Sequence, residues 1–136
     1  MRLVSACLTI AILSGLFVFS TRPIASTHAA DVVPPAVRLV IDYGDGVQKH
    51  FTQLPWKKGI TAFDALQQAA AHRRGIEFRH RGAGATAFVT QIDDLKNEGR
   101  KRNWVFRVNN KLAERSCGIE TLKPGDTILW KFGEYR

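Results

Sequence analysis

An α+β fold, with a mixed sheet curled around one helix, is predicted by three observations on the sequence. Val37, Leu39 and Ile41 alternate with Arg38, Val40 and Asp42, the two-residue period of a strand with one apolar face. In Ile60-Thr61-Ala62-Phe63-Asp64 a capping hydroxyl precedes by three positions a carboxylate able to reach back to it, and that pair starts a helix. Two further alternating runs, residues 104–108 and 127–132, follow the helix.

What precedes the first strand reads as an export signal over residues 1–30. Met1-Arg2 is basic, residues 3–19 are apolar apart from Ser5, Thr9, Ser14 and Gly15, and no acidic residue occurs before Asp31. A retained membrane anchor is the alternative, since the apolar run approaches the roughly 20 residues that cross a bilayer. The small residues up to Ala29 and Ala30 decide for cleavage. The product is then periplasmic, at the cell surface or extracellular, with no stable membrane anchor. Cys7 leaves with the signal and Cys117 stays as a lone thiol, so no internal disulfide helps to hold the fold. Residues 31–35 form a linker, because Pro34-Pro35 is extended and lacks backbone donors, and residues 36–136 form one domain.

Gly44-Asp45-Gly46 permits a tight reversal after the first strand, and Val47 and Phe51 beyond it would join the same apolar face. In the helix, Phe63, Leu66 and Ala70 share a face at i, i+3 and i+7, and Gly75 marks the stop. Residues 76–80 alternate again, Gly82 and Gly84 break the chain, and Phe88-Val89-Thr90-Gln91-Ile92 is a further short strand. Residues 93–102 are polar and charged, the composition of an exposed loop. Asn109-Asn110 closes the strand at 104–108 with a turn suited to positive φ. Leu122-Lys123-Pro124-Gly125-Asp126 signals another turn, after which Ile128, Trp130 and Phe132 share one face. Hairpin, helix, then more strands is the element order of a β-grasp fold, so the sheet is read as β-grasp-like; several other α+β arrangements share that order.

The chain carries 20 Lys and Arg against 12 Asp and Glu, a formal charge of +8. The cations gather in Lys57-Lys58, Arg73-Arg74, Arg79-His80-Arg81 and Arg100-Lys101-Arg102. On an exported protein such clusters attract anionic glycans, envelope components or acidic proteins rather than nucleic acid, and their default role is a solvated basic surface. No catalytic residue is read: the nucleophile candidate is Cys117 with His50, His72 or His80, and spacing selects no pair. Nor is a metal site, because the histidines lack the short spacings of zinc ligands. Trp104 and Trp130 serve a core by default, yet an edge bearing Phe88, Trp104 and Asn109 would present a flat apolar face with polar neighbours.

Gly84, then Phe88-Val89-Thr90 and Ile92, then Trp104-Val105-Phe106-Arg107-Val108-Asn109, then Leu122-Lys123-Pro124-Gly125-Asp126-Thr127-Ile128 and Trp130 together resemble the transcobalamin-like C-terminal domain of many exported bacterial proteins. That family is related to the β-domain of the cobalamin carriers transcobalamin and intrinsic factor. The resemblance covers nearly all of the chain after the linker, and rests on order and spacing. It implies a β-grasp-like domain, which in the carriers covers one face of a corrinoid ring held mainly by a separate helical barrel; these residues include no such barrel. Asn110 and Asp94 stand where the family usually has Gly. Cobalamin is the one cofactor the resemblance implies, and Phe88, Thr90, Gln91 and Trp104 are the positions it marks. The expected function is a non-enzymatic domain binding a small molecule, a corrinoid-like or other planar or extended organic ligand, against residues 88–92 and Trp104. Gln91, Asn109 and Asn110 would orient it. The alternative is a basic interaction module docking on an anionic glycan, envelope component or acidic protein, which rising salt would release steeply.

Overall fold

Two aspartates hold the reversal that opens the fold. Asp42 Oδ1 accepts the Gly44 amide at 2.8 Å and Asp45 Oδ1 accepts the Val47 amide at 3.0 Å. Gly44 has φ +78°, and a Cβ there would meet the Phe132 carbonyl oxygen at 2.3 Å, so this turn needs glycine for its backbone and for the close approach of the last strand. The computed structural model describes residues 32–134; residues 1–30, read from the sequence as an export signal, lie outside them. The turn joins β1 (Ala36–Asp42) to β2 (Gln48–Pro55) in an antiparallel pair.

Val37, Leu39 and Ile41 are fully buried, as their alternation predicts. Val47 does not join them: it lies in the turn, ahead of β2, and is 56% exposed. On β2 the inward residues are Phe51 and Leu54, opposite Leu39 and Val37. A register irregularity between the Val37–Leu54 and Leu39–Phe51 pairs, where β2 carries the extra residue, accommodates their three-residue spacing.

The capping box forms as read. Asp64 N donates to Thr61 Oγ1 at 3.2 Å, Thr61 N donates back to Asp64 Oδ2 at 2.8 Å, and α1 runs over Ala62–Ala71. Thr61→Ala is expected to destabilise the protein by about 1 kcal/mol, read as a lower urea midpoint at unchanged slope; an unchanged midpoint would show that the cap is dispensable. The buried face of α1 is Ala62, Ala65, Leu66 and Ala69, not the Phe63–Leu66–Ala70 stripe expected. Three alanines let the helix approach the sheet closely, and Phe63 is displaced to the flank, edge-on to Phe78 at 5.7 Å. The helix also stops earlier than Gly75, because His72 already adopts an extended backbone (φ −70°, ψ 148°).

Six further strands complete a mixed α+β architecture that is mostly sheet, with one α-helix among the described residues. The five-stranded sheet has the order β2-β1-β8-β6-β7, where β6 is Asn103–Val108, β7 is Lys111–Leu112 and β8 is Thr127–Gly133. β8 runs parallel to β1 and antiparallel to β6. Its Ile128, Trp130 and Phe132 all face the core, and Asn109 and Asn110 make the β6–β7 turn with φ +48° and +68°.

A second sheet, β3-β4-β5, is made by Phe78–Arg81, Phe88–Ile92 and Leu95–Lys96. Its last strand falls in the stretch expected to be an exposed loop. Residues 93–102 instead bind the two sheets together: Leu95 O accepts the Trp104 indole N–H at 2.8 Å, and Asn97 accepts the Trp104 amide at 2.8 Å while donating to Val89 O at 2.9 Å. Polar composition here serves buried backbone groups that need partners. Among the described residues no helix is long and apolar enough to cross a membrane.

Candidate functional site

Because β4 and β6 belong to different sheets, the side chains between them enclose a groove of about 770 Å³. β4 and β6 supply its apolar floor with Phe88, Val89, Trp104 and Phe106, β3 supplies Arg79 and Arg81, and the chain from Leu112 to Cys117 closes one side. Ser116 Oγ lies 2.7 Å from Ala87 O and 2.9 Å from Gly84 O, pinning that closure to the end of β4. A Cβ on Gly118 would meet Gly84 O at 2.4 Å and Ala87 Cβ at 2.9 Å, so the two segments touch backbone to backbone.

Of the residues marked in the sequence, Phe88, Thr90, Gln91 and Trp104 line this groove together, whereas Asn109 and Asn110 are not among its lining residues. Asn109 Oδ1 accepts Thr127 N at 3.0 Å and its Nδ2 donates to Asp126 at 2.8 Å. Its hydrogen-bonding groups thus fasten the β6–β7 turn to the start of β8, and Asn110 is an exposed turn residue. Thr90 is committed too, donating from Oγ1 to Arg79 O at 3.1 Å.

The aromatic side chains divide into two roles. Trp104 is only 4% exposed, tilted against Phe132 at 5.2 Å and edge-on to Tyr43 at 5.9 Å, so most of its surface belongs to the core. Phe88 is 43% exposed, with the Arg81 guanidinium 4.9 Å from its ring centre. It is the aromatic face most available to a bound molecule.

Two buried polar atoms of lining residues have no partner. Trp130 stacks on Phe106 at 4.8 Å, but its indole N–H donates to nothing, and Gln91 Oε1 accepts nothing although Gln91 Nε2 donates to Asp93 O. Each such group costs about 1–3 kcal/mol relative to a satisfied one. Sequence reasoning placed Trp130 in the core and the Arg79–Arg81 cluster in solvent. Nothing local connects them, since the groove joins residues far apart in the chain. The alternation of Arg79 and Arg81 ahead of a marked strand was the available signal.

Cys117 is buried at 2% exposure, and burial pushes its thiol above the usual 9.0, the opposite of the shift that activates a nucleophile. Elsewhere, a more open hollow of about 900 Å³ contains Tyr43, Lys49 and Asp93. Asp93 accepts a short hydrogen bond from the Tyr43 hydroxyl, 3.0 Å from Lys49 Nζ and 2.9 Å from the Glu77 amide. Burial pushes its carboxyl up, but these donors outweigh that and hold it below its usual 3.8. The cluster clasps the β1–β2 hairpin to the second sheet.

The family described as Domain of unknown function (DUF4430) matches residues 59–134, from the turn before α1 through the last strand. No curated protein matches the chain. Among solved structures, a protein of Ruminococcus gnavus described as a candidate metal binder is similar with a TM-score of 0.58 and 12% identity, over 75% of this chain and 99% of that one. At that identity the likeness is one of fold. Among the described residues no three His, Cys, Asp or Glu side chains gather where they would hold a metal ion.

Proposed function

This chain belongs to the DUF4430 family, and from that premise we propose that it is an exported, non-enzymatic domain that binds a planar or extended organic ligand in the groove between β4 and β6. The observation that carries this reading is the groove itself. It has the size of a small-molecule site, an apolar floor and a few convergent polar groups. Phe88, half exposed at its mouth, offers a ring face for stacking.

The parallel pairing of β1 with β8 beside one helix supports a β-grasp-like reading of the sheet. Two of the segments that resemble the transcobalamin-like domain, residues 88–92 and 104–109, supply the groove's apolar floor, and on that reading a corrinoid is the first planar ligand to test. The groove would cover one face of such a ring.

The test titrates the purified protein with cyanocobalamin, following visible absorbance and heat. Saturable binding is expected, weakened about ten-fold by Phe88→Ser with the unfolding midpoint kept. Absence of binding removes the corrinoid version. If two smaller planar probes, 1-anilinonaphthalene-8-sulfonate and N-phenyl-1-naphthylamine, also fail to bind, the groove reading falls with it.

A further inference from the structure

The polar groups around the groove are one-sided. Four cationic side chains line it, Arg79 and Arg81 from β3, Lys96 from β5 and Arg115 beyond β7, and no aspartate or glutamate does. All four are exposed. The ion pairs of Lys49 with Asp93 and of Arg102 with Glu98 involve none of them. Four like charges around one apolar floor repel one another, and nothing in the groove offsets that repulsion.

The remaining hydrogen-bonding capacity is biased the same way. Thr90, Asn97, Asn103 and Ser116 also line the groove, and each already has a partner within the protein. The donors left without a protein partner are those of the four cations and the indole N–H of Trp130, against the side-chain acceptors Gln91 Oε1 and the lone pairs of the Thr90 hydroxyl. A molecule that complements this wall brings oxygen acceptors and negative charge on a flat apolar body.

On the groove reading above, we infer that the ligand is an acid: a planar or aromatic molecule carrying a carboxylate, sulfonate or phosphate. Its ring lies against Phe88 and the floor, and its anionic group takes the guanidinium groups of Arg81 and Arg115, whose planar forks suit such oxygens. Arg81, held over the Phe88 ring, puts a cation beside the surface the ring would cover.

The two dyes named above test this, because they share one ring system and differ by the sulfonate. The purified protein is expected to bind the sulfonate about ten-fold more tightly than the uncharged amine at low salt, and the gap should narrow several-fold at high salt. Arg81→Gln combined with Arg115→Gln should remove most of the gap by weakening the sulfonate alone. Lys57→Gln with Lys58→Gln, a basic pair outside the groove, should leave both affinities unchanged. Phe88→Ser should weaken both dyes, which places them in the groove, and thermal unfolding checks that each variant is folded. Equal affinity for the two dyes, or a gap that survives the double arginine change, overturns the acid inference while leaving the groove as a binding site. Binding of neither dye overturns both.

Discussion

Trp104→Ala is expected to destabilise the protein by about 3 to 5 kcal/mol, a fall in Tm on the order of 15 to 30 °C for a domain of this size. The ring is 4% exposed and packs on Phe132 and Tyr43, so its loss opens a cavity where the two sheets meet. It also strands Leu95 O, whose partner is the indole N–H. Trp104→Phe keeps an aromatic body and loses that hydrogen bond, and should fall between the two. Thermal and urea unfolding followed by circular dichroism read both changes. If Trp104→Ala unfolded like the parent protein while losing affinity for a planar probe, Trp104 would be a binding surface and its place in the core would be refuted.

Replacing Asp93 by Asn should remove about 1 to 3 kcal/mol at neutral pH and flatten the acid limb of the stability curve. Asp93 has φ +47°, which Asn tolerates equally well, so the substitution isolates the charge. The folded carboxyl lies below its usual 3.8 because the Tyr43, Glu77 and Lys49 donors overcome the upward push of burial. Its contribution is therefore complete above that value and is lost as pH falls through the depressed one. Tyr43 works in the other direction: burial and the Asp93 carboxylate raise its hydroxyl above the usual 10.0. The stability it lends is complete below pH 10 and declines as pH rises further. Urea midpoints measured from pH 2 to 11 should show the parent losing stability at both ends and Asp93→Asn losing less at the acid end. Parallel acid limbs for the two proteins would mean that no ionised clasp exists.

The elements legible in the sequence were those decided by near neighbours. Thr61 and Asp64 are three positions apart and cap the helix within one turn. Asn109 and Asn110 sit at positive φ as adjacent turn residues, and Ile128, Trp130 and Phe132 keep the two-residue period that sends all three inward. The helix face was misassigned because periodicity gives a stripe but not its centre. Whether Phe63 or Ala62 faces the sheet depends on how close the sheet lies, and the alanines allow the closer approach. Four of the six marked site residues came together because β4 and β6 were both recognisable as strands. The two asparagines did not, because turn chemistry and a partner on β8 had already claimed them.

By itself, then, the order of residues determined one helix, its first turn, most of the strands and which side of the central ones is buried, since each follows from contacts within a few positions along the backbone. Tertiary structure alone decided that a charged stretch would become the seam between two sheets, that Asp93 would meet Tyr43 across 50 positions, and that four cations from three separate segments would ring one apolar floor. Those outcomes rest on burial and charge, which depend on distance through space, and chain separation does not encode that distance until the sheets have paired.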